Sequence, residues 1–158
     1  MNTSATISPC GLYRYNLVRE WDISLPRVLF IILNPSTADE VEDDPTVRRC
    51  IQFAKDWGYG ALCMTNIFAF RATDPAVMKA YPEPIGQDTD ATLAELAKNA
   101  GVVVAAWGNH GSHLGRDRQV VALLSDLHCL KVTKAGQPSH PLYLSRALKP
   151  MPYIPQQQ

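Results

Sequence analysis

At 158 residues, 46% hydrophobic and 19% charged, the chain suits one soluble domain whose core needs no disulfide or metal to hold it. Fifteen basic and fifteen acidic residues give zero formal net charge, which removes any overall pull toward nucleic acid or anionic membrane and leaves only a local basic patch. The four cysteines (Cys10, Cys50, Cys63 and Cys129) show no C-x-x-C spacing, which argues against a zinc site or a disulfide framework. The N-terminus lacks a charged start and apolar run, and no apolar run approaches bilayer length, so a cytoplasmic protein with no membrane partner and no obligate protein partner is expected.

In chain order, residues 1–11 are small and polar and are expected to be loosely ordered. Residues 12–21 alternate, with Tyr13, Tyr15 and Leu17 on one side and Arg14, Asn16 and Val18 on the other, which predicts a lead-in strand at a sheet edge. Residues 28–36, V-L-F-I-I-L-N-P-S, form an apolar run closed by a polar loop. That pattern predicts a central parallel strand covered on both faces, the element around which the rest is organised. Asp44 followed by Pro45 is a helix start, an N-cap acceptor and then proline at the first helical position. Val47, Cys50, Ile51, Ala54 and Trp57 carry that helix at helical spacing to a stop at Gly58.

A second apolar strand is expected over residues 61–70, a short helix over 75–80, and a helix over 89–99 that Gly101 ends. A third strand spans 102–107, a helix 117–127 and a short fourth strand 129–132; from Ser145 on, a Pro- and Gln-rich tail is expected to be loose. The order β-α-β-α-β-α-β implies a single α/β domain, a three-layer sandwich with a four-stranded, mainly parallel sheet. Ligands bind such sheets outside the carboxyl ends of the strands. The loops there carry Asn34, Pro35, Ser36 and Thr37, then Asn66 with Arg71, Trp107 with Asn109, and His140.

Each of these residues has a structural reading beside the functional one. Asn34 either caps a turn or lines a site; Asn66 either ties loops together or offers its paired donor and acceptor to a ligand. Trp107 is either packing or a ligand platform, and Asp44 either the helix cap or a carboxylate of the site. His110 and His113, three apart in a Gly-rich loop without acidic or cysteine neighbours, read as solvated loop, so neither metal nor cofactor is expected.

The runs L-P-R-V-L-F-I-I-L-N-P-S-T-A-D, D-D-P-T-V-R-R-C, T-N-I-F-A-F-R-A-T-D-P, A-A-W-G and G-Q-P-S-H-P-L-Y-L together resemble the uncharacterised family DUF1643 over residues 13–144. More remotely, four strand-end motifs are similar, in the same order, to those of the uracil-DNA glycosylase superfamily. Leu33-Asn34-Pro35-Ser36 resembles the G-I-N-P-G of its mismatch-specific branch, and Met64-Thr65-Asn66-Ile67-Phe68 with Arg71 resembles that branch's I-T-N-L-V and arginine. Ala105-Ala106-Trp107-Gly108 resembles L-L-W-G, and His140-Pro141-Leu142-Tyr143-Leu144 resembles H-P-S-P-L-S.

This resemblance implies a uracil-DNA glycosylase-like fold and hydrolysis of the N-glycosidic bond of a damaged, mismatched or modified base. Asn34 would hold the water, His140 would donate to the departing base, Phe68 or Phe70 would stack on it, and Leu144 has the spacing of a residue that wedges into DNA. The chain departs from the pattern in lacking an acid directly before Pro35, which leaves Asp44 as the nearby carboxylate, and in carrying Leu142 where the motif has serine. Three functions follow as expectations. A glycosylase acting on DNA predicts a basic groove, to which Arg48, Arg49, Arg71, Lys131 and Lys134 would contribute; an enzyme acting on a free nucleoside or nucleotide predicts a pocket without one. A non-catalytic nucleobase- or nucleic-acid-binding module predicts loops engaged with one another.

Overall fold

The run at residues 28–32 is apolar without alternation because both of its faces are covered. In the computed structural model, which describes residues 1–155, β3 (Arg27–Ile32) pairs in parallel with β4 (Ala61–Asn66) on one side and β5 (Val102–Ala105) on the other. Val28 through Ile32 are all buried. β6 (Leu127–Cys129) extends the parallel run beyond β5. The chain leaves β3 toward β4 and then crosses back over β3 to β5, so successive crossovers diverge beside the carboxyl end of β3, where an α/β sheet opens a crevice.

Helices cover both faces. α1 (Pro45–Asp56) places Val47, Cys50, Phe53 and Ala54 against Val28, Phe30 and Ile32. Opposite, α2 (Pro75–Ala80), α3 (Thr89–Lys98) and α4 (Arg116–Leu123) supply Met78, Leu93 and Val120 to a core with Leu29, Ile31 and Val103. The start of α1 follows local chemistry: Asp44 Oδ1 accepts from Val47 N at 2.8 Å, and Pro45 occupies the first turn, where its missing N–H costs nothing.

Among the described residues the sheet has seven strands, not four. β1 (Asn2–Ile7) and β2 (Arg14–Glu20) add antiparallel strands outside β4, and β7 (Met151–Pro152) adds one outside β6. The expected loose ends are therefore paired ends. Residues 2–7 form the edge strand and place β2 inside it, so the lead-in strand is not the edge. The C-terminal segment is tied down where Trp57 Nε1 donates to Leu148 O at 3.1 Å and Tyr153, 8% exposed, donates from its hydroxyl to Gly136 O at 3.0 Å. Composition did not reveal this because backbone pairing needs no particular side chains. The last three residues of the expected tail, 156–158, lie outside the described residues.

β2 departs from its predicted alternation. Thr6 lies opposite Asn16 and Ile7 opposite Arg14, so Tyr15 is an extra residue, a β-bulge. The bulge reverses the faces: Tyr13 packs on the α3–α4 side with Val18, while Arg14 turns to the α1 side with Leu17. The backbone it takes out of the ladder is held by β4, where Thr65 Oγ1 donates to Tyr15 O at 2.9 Å and Asn66 Nδ2 to Arg14 O at 3.2 Å.

Among the described residues no helix is long and apolar enough to cross a membrane, all four cysteines are free, and no cluster of histidine, cysteine or acidic side chains could hold a metal.

Candidate active site

Where β3 ends, its loop and the start of α1 enclose a cavity of about 400 Å³ on the α1 side of the sheet. Asn34, Ser36 and Thr37 come from the β3 loop, Asp44 and Thr46 from the first turn of α1, Thr73 from the loop after β4, and His140 from the loop beyond β6. Arg14 enters from β2 because the bulge turns it there.

Asn34 donates from Nδ2 to Ala72 O at 2.8 Å and to Pro35 O at 3.1 Å, so it does hold a turn. Those two bonds use both amide protons and leave Oδ1 as the acceptor available to a ligand. Pro35 is buried behind it and accepts from Ala72 N at 2.9 Å. Ser36 Oγ donates to Thr73 Oγ1 at 3.3 Å, which joins the two loops at the rim.

His140 Nδ1 accepts from Leu142 N at 3.2 Å. That bond holds the neutral imidazole with its proton on Nε2, the form that can donate to a ligand. Loss of solvation against the cavity wall lowers its pKa below the ordinary imidazole value, and the negative charge of Asp44 opposes that shift. Asp44→Asn removes the opposing charge and should lower the His140 pKa further, read as an NMR titration midpoint at lower pH than in wild type. A midpoint that rises or stays put would show that Asp44 does not act on this ring. Because the shift favours the neutral form, any activity that needs neutral His140 should persist below the ordinary imidazole pKa and fall only at more acidic pH.

The remaining predicted residues lie elsewhere. Asn66 is fully buried and does not line the cavity; its Nδ2 holds the bulge, while its Oδ1 has no hydrogen-bond partner. Phe68 is fully buried on the opposite face, 5.6 Å from the His113 ring, and Phe70 stacks on Tyr81 at 3.8 Å. Trp107, 1% exposed, donates from Nε1 to Gln137 Oε1 at 2.9 Å, and Asn109 Oδ1 accepts from Thr133 Oγ1 at 2.6 Å. Arg71 is half-buried and donates to Gly11 O at 3.4 Å. Leu144 packs into the α1-side core, while Tyr143 beside it is 92% exposed in a left-handed backbone at φ 71°. Strand-end loops thus brought Asn34 and His140, and the start of α1 brought Asp44, to one cavity, whereas apolar neighbours drew Asn66, Phe68 and Trp107 inward.

Sequence reasoning placed Thr37 here with the β3 loop but missed Arg14 and Thr46. For Arg14 the only local signal, strict alternation, pointed to the wrong face.

The arrangement is that of an α/β protein with a solvent-reaching cavity, largely apolar in its walls and carrying a few polar side chains, at the carboxyl edge of its parallel strands. The family model for a protein of unknown function, DUF1643, matches residues 14–142, and the chain belongs to that family. Every residue lining the cavity, from Arg14 to Leu142, falls within the match, while β1 and β7 fall outside it. No curated protein and no solved structure matches the chain.

Proposed function

We propose that the protein is an N-glycosyl hydrolase acting on a nucleobase, with a uracil-DNA glycosylase-like arrangement of the central strands and their loops. The observation that supports this most is the convergence of Asn34, Asp44 and His140, from separate segments of the chain, on one cavity. Its volume of about 400 Å³ falls in the range of small-molecule sites and suits a base with its sugar.

Cleavage of the glycosidic bond leaves cationic character on the sugar and an electron pair on the departing base. His140, donating from Nε2, stabilises that pair on a base oxygen, as a neutral hydrogen-bond donor does where charge develops. Asn34 Oδ1 accepts from the attacking water and aims it at the sugar carbon; an amide is too weak a base to take the proton, so its contribution is position. The Asp44 carboxylate faces the same space, offsets the sugar's positive charge and accepts the water's proton as the new C–O bond forms.

A free nucleoside or nucleotide suits the site better than duplex DNA on one specific ground. Of the five cations expected to grip phosphates, Arg48 donates to Asp43 O at 3.1 Å, Arg71 to Gly11 O at 3.4 Å and Arg49 to Leu144 O. Arg49 and Arg71 are also half-buried, so Arg48, Lys131 and Lys134 are the exposed ones of the five, fewer than the roughly six to ten phosphate contacts of an extended duplex site.

The test is base release from free nucleosides and nucleotides, and from oligonucleotides carrying uracil, mismatched thymine, hypoxanthine or modified cytosines. Wild type should release at least one base, and Asn34→Ala and His140→Ala should each slow release by about 100-fold or more. No release from any substrate by folded protein at high concentration would remove the hydrolase reading.

A further inference from the structure

Three arginines of the described residues, Arg14, Arg19 and Arg116, are each only 1% exposed. Two carry a carboxylate partner: Arg19 meets Asp43 at 2.8 Å and Arg116 meets Asp90 at 2.5 Å. Among the described residues no carboxylate lies within ion-pair distance of Arg14. Its Nη1 donates to Ala38 O at 2.8 Å, and its Nε has no partner. A buried charge left uncompensated in this way is costly, and a fold that pairs its other two buried guanidiniums leaves this one facing a cavity.

We infer that Arg14 is the anion-recognition residue of the cavity and receives a terminal phosphate of a small substrate, a nucleoside monophosphate rather than a polymer. The inference rests on the reading of this cavity as a nucleobase site, not on the bond-breaking chemistry. Three features of the site carry it. The guanidinium stays charged near neutral pH, its pKa lowered by burial only to about 10. It sits beside the amino end of the twelve-residue α1, where Pro45 has no N–H and that of Val47 is taken by Asp44, leaving that of Thr46 for an oxyanion. Because Arg14 is 1% exposed, a group reaching it must enter the cavity, which a terminal phosphate does more readily than a phosphodiester with chain on both sides. Asp44 is close enough to raise the Arg14 pKa, but its Oδ1 is held by Val47 N, so it offsets the charge without closing the site.

Isothermal titration of the full chain with inorganic phosphate, deoxynucleoside 5′-monophosphates, the matching nucleosides and an oligonucleotide lacking terminal phosphates tests this. Wild type should bind at least one monophosphate about 10- to 100-fold more tightly than its nucleoside, the range expected of a charge-assisted hydrogen-bond pair. Arg14→Gln should abolish that ratio, weakening monophosphate binding far more than nucleoside binding, and should melt close to wild type because it removes a buried charge without an ion-pair partner along with the bond to Ala38 O. Should it fail to fold, Arg14→Lys, which keeps the charge without the planar fork, must still reduce the ratio. The inference is overturned if no probe binds, if monophosphate and nucleoside bind alike, if the ratio survives the substitution, or if only the oligonucleotide depends on Arg14. Phosphate discrimination without base release would remove the hydrolase and keep the anion site; base release without discrimination would do the reverse.

Discussion

Trp107→Ala should cost about 3–5 kcal/mol of stability and leave ligand binding at the cavity unchanged. The indole is 1% exposed, stands edge-on to Tyr153 with ring centroids 6.2 Å apart, and lies under the short 3-10 segment Asn109–Gly115. Contact with that segment is tight: a Cβ built on Gly111 would come within 2.1 Å of Trp107 Cδ1. Truncation opens a void that neither α4 nor the 3-10 segment can fill. It also leaves Gln137 Oε1 without its donor, while Gln137 Nε2 stays on Asp117 Oδ2 at 2.8 Å. Chemical denaturation measures the loss, and heating should show a melting temperature lower by about 10 °C for a chain of this size. Trp107→Phe should recover the packing but not the hydrogen bond. A Trp107→Ala protein that melted normally and lost binding would restore the ligand-platform reading.

Arg19→Met should destabilise by about 2–3 kcal/mol and impair the cavity from a distance. Arg19 donates to Asp43 Oδ1 at 2.8 Å and to the carbonyls of Asp39 and Glu42, so one buried guanidinium gathers residues 39–43 into the turn that delivers Asp44. Methionine fills the space but offers no donor: Glu42 O keeps its bond from Asp39 N at 3.1 Å, while Asp39 O loses the guanidinium, and a part-buried carbonyl left without a donor costs more than its bond contributed. The figure stays below that of a fully buried pair because the Asp43 side chain is 32% exposed and water can take it back. Amide exchange should accelerate from Asp39 through Val47, whose N–H is held by the Asp44 cap. Unchanged exchange there would mean the turn holds itself, through Asp39 Oδ1 accepting from Val41 N at 2.9 Å and Glu42 N at 2.8 Å.

The two arginine substitutions separate what the fold needs from what the site needs. Arg19 stabilises through a partner that the chain supplies, so its loss should register as unfolding. Arg14 has a carbonyl partner in Ala38 O but no carboxylate, and its loss should register in binding.

Local chemistry in the sequence determined a good deal of this protein. The unbroken apolar run of β3 marked a strand covered on both faces, Asp44-Pro45 marked the start of α1, and Asp74-Pro75 likewise precedes α2, with Asp74 Oδ1 accepting from Ala76 N at 2.8 Å. Each signal depends on residues within a turn or strand of one another, so no distant contact was needed to read it. The same logic brought Asn34 and His140 into consideration, because strand-end loops gather at one edge whatever their sequence; Asp44 came in as a nearby acid in place of the one that the resemblance expects before Pro35.

Only the tertiary structure decided the rest. The edge strand β1 and the terminal β7 are held by backbone pairing, which weakly patterned segments can make when a partner strand is present. The direction in which Asn66, Phe68 and Trp107 point was settled by whether core or solvent lay on that side, a property of packing across the sheet. Arg14 shows the same limit most sharply. One extra residue, Tyr15, reverses the period-two alternation of β2 and carries a charged side chain from the face its spacing assigns to the face with the cavity. A bulge is set by register between strands distant in sequence, and so its consequence for the site is invisible until the strands are paired.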